Sequence, residues 1–301
     1  MDYIYHVLIM VLIYIILAVS YDLILGYGGI LSIAHAAFYG VGAYASALLS
    51  IQLGVPFLPA LIAGGLTAAL SSLLIAIPSL RIKSYYLIIT SFGFQMIVSN
   101  VLTNWTSLTR GPAGLSGVPP LSLGNWVFIG KSSAFFFTLV VTVLCVLVFA
   151  YLVRSPFGRL VESTREDEIG AQSLGKSIRQ VKTLIFMIGS GFAGVAGSLF
   201  AHYASFISPD SFTLAESFFI MTIVLIGGAG TLYGPVIGAV IMVALPEVLR
   251  FIGLSSTEGA SVRQIIIALI LLLLLRFNAQ GLAGWIQGTR RRAAISQTGE
   301  E

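Results

Sequence analysis

Eight residues carry the plainest chemical suggestion in this sequence. Gly170 to Ser177, "GAQSLGKS", match G-x-x-x-x-G-K-[ST] letter for letter, the pattern of a loop whose backbone amides and lysine hold the phosphates of a nucleotide. Such a loop works where a buried strand delivers it and a helix N-terminus points its amides at the phosphates. Here the preceding residues, "TREDEI", are acidic rather than apolar and β-branched, and about six positions after Ser177 a long apolar run begins. A segment of that size cannot hold the layers of a βαβ unit. The match is a coincidence of letters, and no nucleotide site is expected on this chain.

Other reactive groupings are sparse. The three histidines are scattered and no Cys/His ligand spacing occurs, so no metal site is expected. The single cysteine, Cys145, lies inside "FFFTLVVTVLCVLVFAYLV" and reads as an inert buried thiol. No paired carboxylates or Cys/His pair support a membrane enzyme, and no catalytic residue is assigned. Asp22, His35, Glu216 and Glu247 lie within or near apolar runs, where an unpaired charge costs about 2.5 kcal/mol or more at mid-membrane. Asp22 falls near an interface where water can solvate it. His35 reads either as a hydrogen-bonded packing residue or as a contact along a solute pathway, and the two glutamates fall near outer ends.

The elements that must position these residues are set by composition. Of 301 residues, 57% are hydrophobic and 9% charged, against roughly 25% charged in a soluble domain, and the mean hydropathy is +0.98. Such a chain is an integral membrane protein, and its net charge of +4 is too small to indicate nucleic acid. Apolar runs of about 20 residues, the length that crosses the hydrocarbon as helix, occupy 4–25, 33–53, 57–77, 84–102, 134–153, 183–203 and 234–252. Two less regular ones cover 215–226, which runs into "GGAGTLYGP", and 262–275. The first follows "MDY" without a basic n-region and reads as a retained span. The fold class expected is all-α, a polytopic transmembrane bundle of eight to nine spans with glycine-broken helices.

With nine spans and the N-terminus outside, twelve of the sixteen Lys and Arg residues fall on the inner side, as the positive-inside rule requires. Residues 1–277 then form the membrane domain, with a cytoplasmic loop at 154–182 and an external Gly/Pro-rich segment at 104–133. Trp105 and Trp126 flank that segment as interface anchors, and Arg110 within it reads as a solvated charge or as an attractor for a carboxylate. Residues 278–301 are a basic cytoplasmic tail lying against membrane lipid.

Within the loop, Ser163 with Glu166 matches a capping box, Glu166, Asp167 and Glu168 suit the first turn of a helix, and Gly175 suits its end. Ser177 with Gln180 opens a second helix. A charged helix held between two spans can serve as a lever docking on a soluble partner, or lie as an amphipathic connector on the membrane. Gly26, Gly28 and Gly29, followed by Ser32 and His35, end the first span, and Gly227, Gly228 and Gly230 interrupt a later one. Such breaks either line a pathway with free backbone groups or allow close helix packing. The two regions look alike and hint at an internal repeat.

"RSPFGRLVESTREDEIGAQSLGKS" resembles the cytoplasmic loop of the permease subunits of branched-chain amino-acid ABC transporters, which read S-P-x-G-R, then R-E-D-E-x-A-A, then Leu-Gly. "LGYGGILSIAHAAFYGVGAYASALL", "LRIKSYYLIITSFGF…NWTSLTRGPAGLSGVP" and "ISPDSF…IVLIGGAGTLYGPVIGA" resemble the same family in the same order, and the M-type of the leucine/isoleucine/valine (Liv) system in particular. The resemblance implies a subunit of an ATP-driven importer in a bacterial or archaeal inner membrane. Its partners would be a second permease, two cytoplasmic ATPases that carry the ATP and Mg, and an external substrate-binding protein. By the same resemblance Glu162, Arg165, Glu166, Asp167, Glu168, Ala171 and Gly175 belong to the element that couples to an ATPase. Ala34, Ser84 and Met96 depart from the family pattern and leave the cargo open between branched-chain amino acids and urea or short amides. The rival of another class is an ion-coupled secondary transporter working alone, which needs a carboxylate or basic relay near mid-membrane.

Overall fold

The computed structural model describes residues 2–79, 84–123, 126–128, 130–251 and 269. The apolar runs become helices α1 (Asp2–Asp22), α2 (His35–Leu53), α3 (Phe57–Ser79) and α4 (Ser84–Asn104). After a single turn, α5 (Thr106–Thr109), come α6 (Lys131–Arg154), α7 (Pro156–Glu166), α8 (Glu168–Ser173), α9 (Ile178–Ala204), α10 (Leu214–Gly227) and α11 (Gly234–Phe251). Among the described residues six helices are long and apolar enough to cross a membrane, and α10 and α11 supply two shorter apolar ones. The expected span at 262–275 and the tail at 278–301 lie outside the described residues.

Helix α1 forms the axis of the bundle. It packs against α6, α9, α10 and α11, and Ile9, Ile13, Ile16 and Leu17 on it are fully buried. Over Leu23–Tyr27 it widens into a π-helix, with the Gly28 amide reaching back five residues to the Leu23 carbonyl at 3.1 Å. Tyr14 on α1 donates to Glu216 on α10 at 2.6 Å, and further along Asp22 accepts from the Gly230 amide at 2.7 Å. Two ties in the same order along both chains make α1 and α10 run parallel, so both glycine breaks fall at one end of the bundle. Tyr3 pairs with Glu247 of α11, which therefore runs the other way.

Helices α2, α3 and α9 form a second, closely packed layer. Lipid is as apolar as leucine, so burial alone does not bring helices together and small residues that let backbones touch must do it. Gly42, Gly64 and Gly194 stand at these crossings: a Cβ built on Gly194 would overlap Ala68 and the Gly64 carbonyl, and one on Gly42 would overlap the Gly194 backbone.

The fold is helical with one addition that the apolar pattern did not carry. The 104–133 segment contributes strands to two small antiparallel ribbons: β1 (Leu115–Ser116) pairs with β4 (Phe206–Ile207), and β2 (Ser122–Leu123) with β3 (Trp126–Val127). The first pins this segment to the α9–α10 connection, and a hydrogen bond of 2.8 Å between His202 and the Pro119 carbonyl does the same.

Candidate functional site

The α6–α9 connection is built from three consecutive signals. Ser155 takes extended backbone and accepts from the Gly158 amide at 3.3 Å, and Pro156 holds the first helical position, where its missing N–H leaves no bond unmade. Helix α7 buries Gly158, Val161 and Thr164 and exposes Glu162, Arg165 and Glu166. It stops because Asp167 turns extended (φ −146°, ψ 99°). The Asp167 carboxylate then caps the next helix, accepting from the Ile169 and Gly170 amides at 3.0 Å each. The single helix expected to start at Ser163 is thus two helices. Ser163 lies inside α7 and bonds the Leu160 carbonyl, and the acidic run straddles the break. A Ser-Pro pair outcompetes the capping box as a start because proline fixes φ in advance.

The letters of the phosphate loop are spent on this cap. The Gly170 amide goes to Asp167, and α8 ends with Gly175 left-handed at φ 75°. The Gly175 amide bonds the Gln172 carbonyl at 2.9 Å and the Lys176 amide the Ala171 carbonyl at 3.3 Å, a Schellman closure. These amides satisfy α8 rather than face an anion. Lys176→Ala is therefore expected to leave nucleotide titration of the purified chain flat, as in the wild type; saturable ATP binding lost on that change would restore the loop reading.

Among the described residues one ion pair, Glu168 to Lys182, ties α8 to the start of α9. Ala171 is buried, while Gln172 to Ser177 are exposed. Glu166, Asp167 and Glu168 present a negative edge at the surface of this end.

Arg165 reaches inward from the same helix. Its guanidinium donates to the Gly26 carbonyl, its stem lies over Gly29, and its Nη1 lies where a Cβ on Gly230 would come to 3.0 Å. Gly29 and Gly230 are both left-handed (φ 63° and 74°), and a side chain at either would occupy the notch that Arg165 fills. A Cβ on Gly26 would collide with the Asp22 carboxylate and the Gly230 amide. Gly26, Gly29, Gly230, Asp22 and Arg165 thus form one cluster. Gly28 is buried against the Leu23 and Ile24 carbonyls, and Gly227 is pressed against the start of α11 at Gly234. Gly228 is left-handed at φ 113° and caps α10.

Ser32 and His35 lie elsewhere. From Gly29 the chain climbs back alongside α1, and His35 hydrogen-bonds Ser20 at 2.9 Å while Tyr21 donates to the Ser32 carbonyl at 2.8 Å. The start of α2 is therefore buried, and its free amides need partners. Ser217 of α10 accepts from Ala36 at 2.9 Å and Gln95 of α4 from Ala37 at 2.8 Å. Ser91 accepts from Ile33 at 3.0 Å, and Gln95 also donates to the Phe212 carbonyl at 2.9 Å. These three residues were not singled out from sequence; the available signal was a glutamine in the middle of the apolar run "SFGFQMIV".

At the opposite end a cavity of about 520 Å³ opens among His6, Met10, Phe128, Lys131, His202 and Tyr203. His6 and Tyr203 are joined across it at 2.7 Å.

A polytopic helical bundle whose two glycine breaks meet a charged helix at one end is an architecture that a membrane permease can use. Residues 3–275 match the family described as the branched-chain amino acid transport system permease component, and the chain belongs to that family. It is 38% identical over 262 residues to the high-affinity branched-chain amino acid transport system permease protein LivM of Escherichia coli, covering 79% of this chain and 62% of that one. Similarity to the probable branched-chain amino acid transport permease protein LivM of Methanocaldococcus jannaschii is 26% over 74% of this chain and 68% of that one. To the E. coli LivH permease protein it is 27% over 87% and 89%. The chain thus spans a little under two thirds of the length of E. coli LivM.

Proposed function

We propose that this chain is the M-type permease subunit of an ATP-driven importer for branched-chain amino acids. The observation that carries the reading is the Liv permease similarity over nearly the whole described bundle, joined to a loop with an exposed acidic edge on one side and Arg165 reaching the helix breaks on the other. A second permease would complete the passage. Two cytoplasmic ATPases would dock on α7 and α8 and hold the ATP and Mg, and an external binding protein would deliver solute at the end bearing the small ribbons. The inner side is the α7 end, because Arg154, Arg159, Arg165, Lys176, Arg179 and Lys182 cluster there. On this reading the N-terminus lies outside and, with nine spans, the C-terminus lies in the cytoplasm of a bacterial or archaeal cell. ATP-driven approach of the ATPases would move α7 and rock the bundle between outward and inward access.

The rival reading as a self-sufficient ion-coupled transporter is weaker. Glu216 and Glu247 are each held by a tyrosine of α1, and Asp22 lies at the end of α1 beside the glycine breaks rather than at its middle. Uptake of labelled leucine against labelled urea in vesicles carrying the complete complex tests the cargo. Leucine is expected to accumulate with ATP and to be displaced by isoleucine and valine. Urea accumulation without leucine would move the chain to the amide carriers, and accumulation by this chain alone would sink the importer reading.

A further inference from the structure

The charged group the arrangement leaves unfinished is Asp22. Its side chain is fully buried. Oδ1 accepts the Gly230 amide at 2.7 Å, while Oδ2 is buried with no hydrogen-bond partner. A carboxylate oxygen held away from water without a donor is strongly disfavoured, and such groups persist where something else completes them. The cation poised to do so is Arg165, whose Nη1 lies against Gly230, the residue Asp22 holds. The guanidinium nonetheless spends its hydrogen bond on the neutral Gly26 carbonyl and makes no ion pair with Asp22.

A carboxylate is a stronger acceptor for a guanidinium than a carbonyl because both partners then carry charge, so the carbonyl contact is imposed by where α7 holds the arginine. Arg165 lies in the last turn of α7, one residue before Glu166 and two before the break at Asp167. Any displacement of the exposed acidic edge moves it directly.

We propose that Asp22 is the second seat of the Arg165 guanidinium: when α7 is displaced by its docked partner, Arg165 passes from the Gly26 carbonyl to Asp22 Oδ2. Because Asp22 already holds Gly230, it joins the coupling helix, the π-helical end of α1 and the α10–α11 break through one side chain. Two discrete seats make the cluster a two-position element rather than a spring. Asp22 is then a positioning residue for transport, acting through Arg165 and not on the solute. The inference rests on the importer reading above.

The test uses the complete transporter in vesicles, with labelled leucine uptake and ATP hydrolysis measured together. Asp22→Asn keeps an oxygen for the Gly230 amide and removes the charge. It is expected to reach the membrane and assemble normally while leucine carried per ATP falls about tenfold or more. Arg165→Gln is expected to do the same, and the double variant to be no worse than the poorer single, since both remove one contact. Asp22→Ala, which also strips Gly230 of its acceptor, is expected to lower the amount of assembled complex; this separates the structural bond from the charge. Unchanged leucine per ATP in Asp22→Asn, or strictly multiplicative losses in the double variant, overturns the second seat. A wild-type complex that hydrolyses ATP but carries no leucine overturns the importer reading instead, and the inference with it.

Discussion

Gly194→Leu is expected to leave a chain that inserts into the membrane but melts far below the wild type. The crossing it alters has no room for even one carbon, because a Cβ there meets the Gly64 carbonyl and Ala68 on one side while Gly42 of α2 presses the Gly194 backbone from the other. Extra carbons in a packed core cost typically about 1–3 kcal/mol when neighbours can adjust. Here the neighbours are backbone atoms of two other helices, so α9 must separate from α2 and α3 altogether, and a loss of about 3 kcal/mol or more is expected. Nothing in a lipid environment restores that contact, since exposure of the separated faces to acyl chains carries no hydrophobic penalty. Gly93→Leu on α4 is the control: nothing lies within 4 Å of a Cβ there, and a helix-favouring side chain is expected to be neutral or mildly stabilising. Thermal unfolding of both variants in detergent, followed by size exclusion, checks the pair; equal melting temperatures would mean that α2, α3 and α9 do not meet at these glycines.

What could be seen in the sequence follows from how local each signal is. Span length and apolarity are summed over twenty neighbours, so α1, α2, α3, α4, α6 and α9 coincide with the expected runs to within a few residues, and the shorter α10 and α11 are also present. Helix ends depend on two or three residues in competition. Ser163 with Glu166 fits a capping pattern, but Ser155 with Pro156 is the stronger start, and Asp167 caps a separate helix. The role of Asp22 was illegible for a different reason: its partner Gly230 stands 208 residues away, and Arg165 reaches Gly26 across 139. Sequence spacing showed glycine runs beside charged residues but not that the runs meet. His35 is the intermediate case. It is buried and hydrogen-bonded to the Ser20 hydroxyl, whereas Ser91, Gln95 and Ser217, which cap the start of α2, come from two different runs, 84–102 and 215–226.

Reversing both charges at the α7–α8 break, with Glu166→Lys and Asp167→Lys, is expected to reduce leucine uptake by the complete complex to background while membrane insertion stays intact. The structure separates two effects that this change combines. Glu166 is exposed at the last position of α7, so its reversal alters only the surface offered to a partner. Asp167 is exposed as well, yet it caps α8 through two amides, and loss of such a cap costs about 1 kcal/mol. Asp167→Asn preserves the cap and removes the charge, because asparagine serves as well in that position; Asp167→Ala removes both. If surface charge drives docking, Glu166→Lys alone is expected to lose most of the uptake and Asp167→Asn to lose part of it. If the separate orientation of α8 is what the ATPase reads, Asp167→Asn is expected to transport normally and Asp167→Ala to fail. ATP hydrolysis by the assembled complex, set beside its uptake, tells lost docking from lost transmission: an undocked complex loses both activities, an uncoupled one keeps hydrolysis. Normal ATP-dependent uptake in the double reversal would remove α7 and α8 from the coupling pathway, since among the described residues no other element carries an acidic edge at that end.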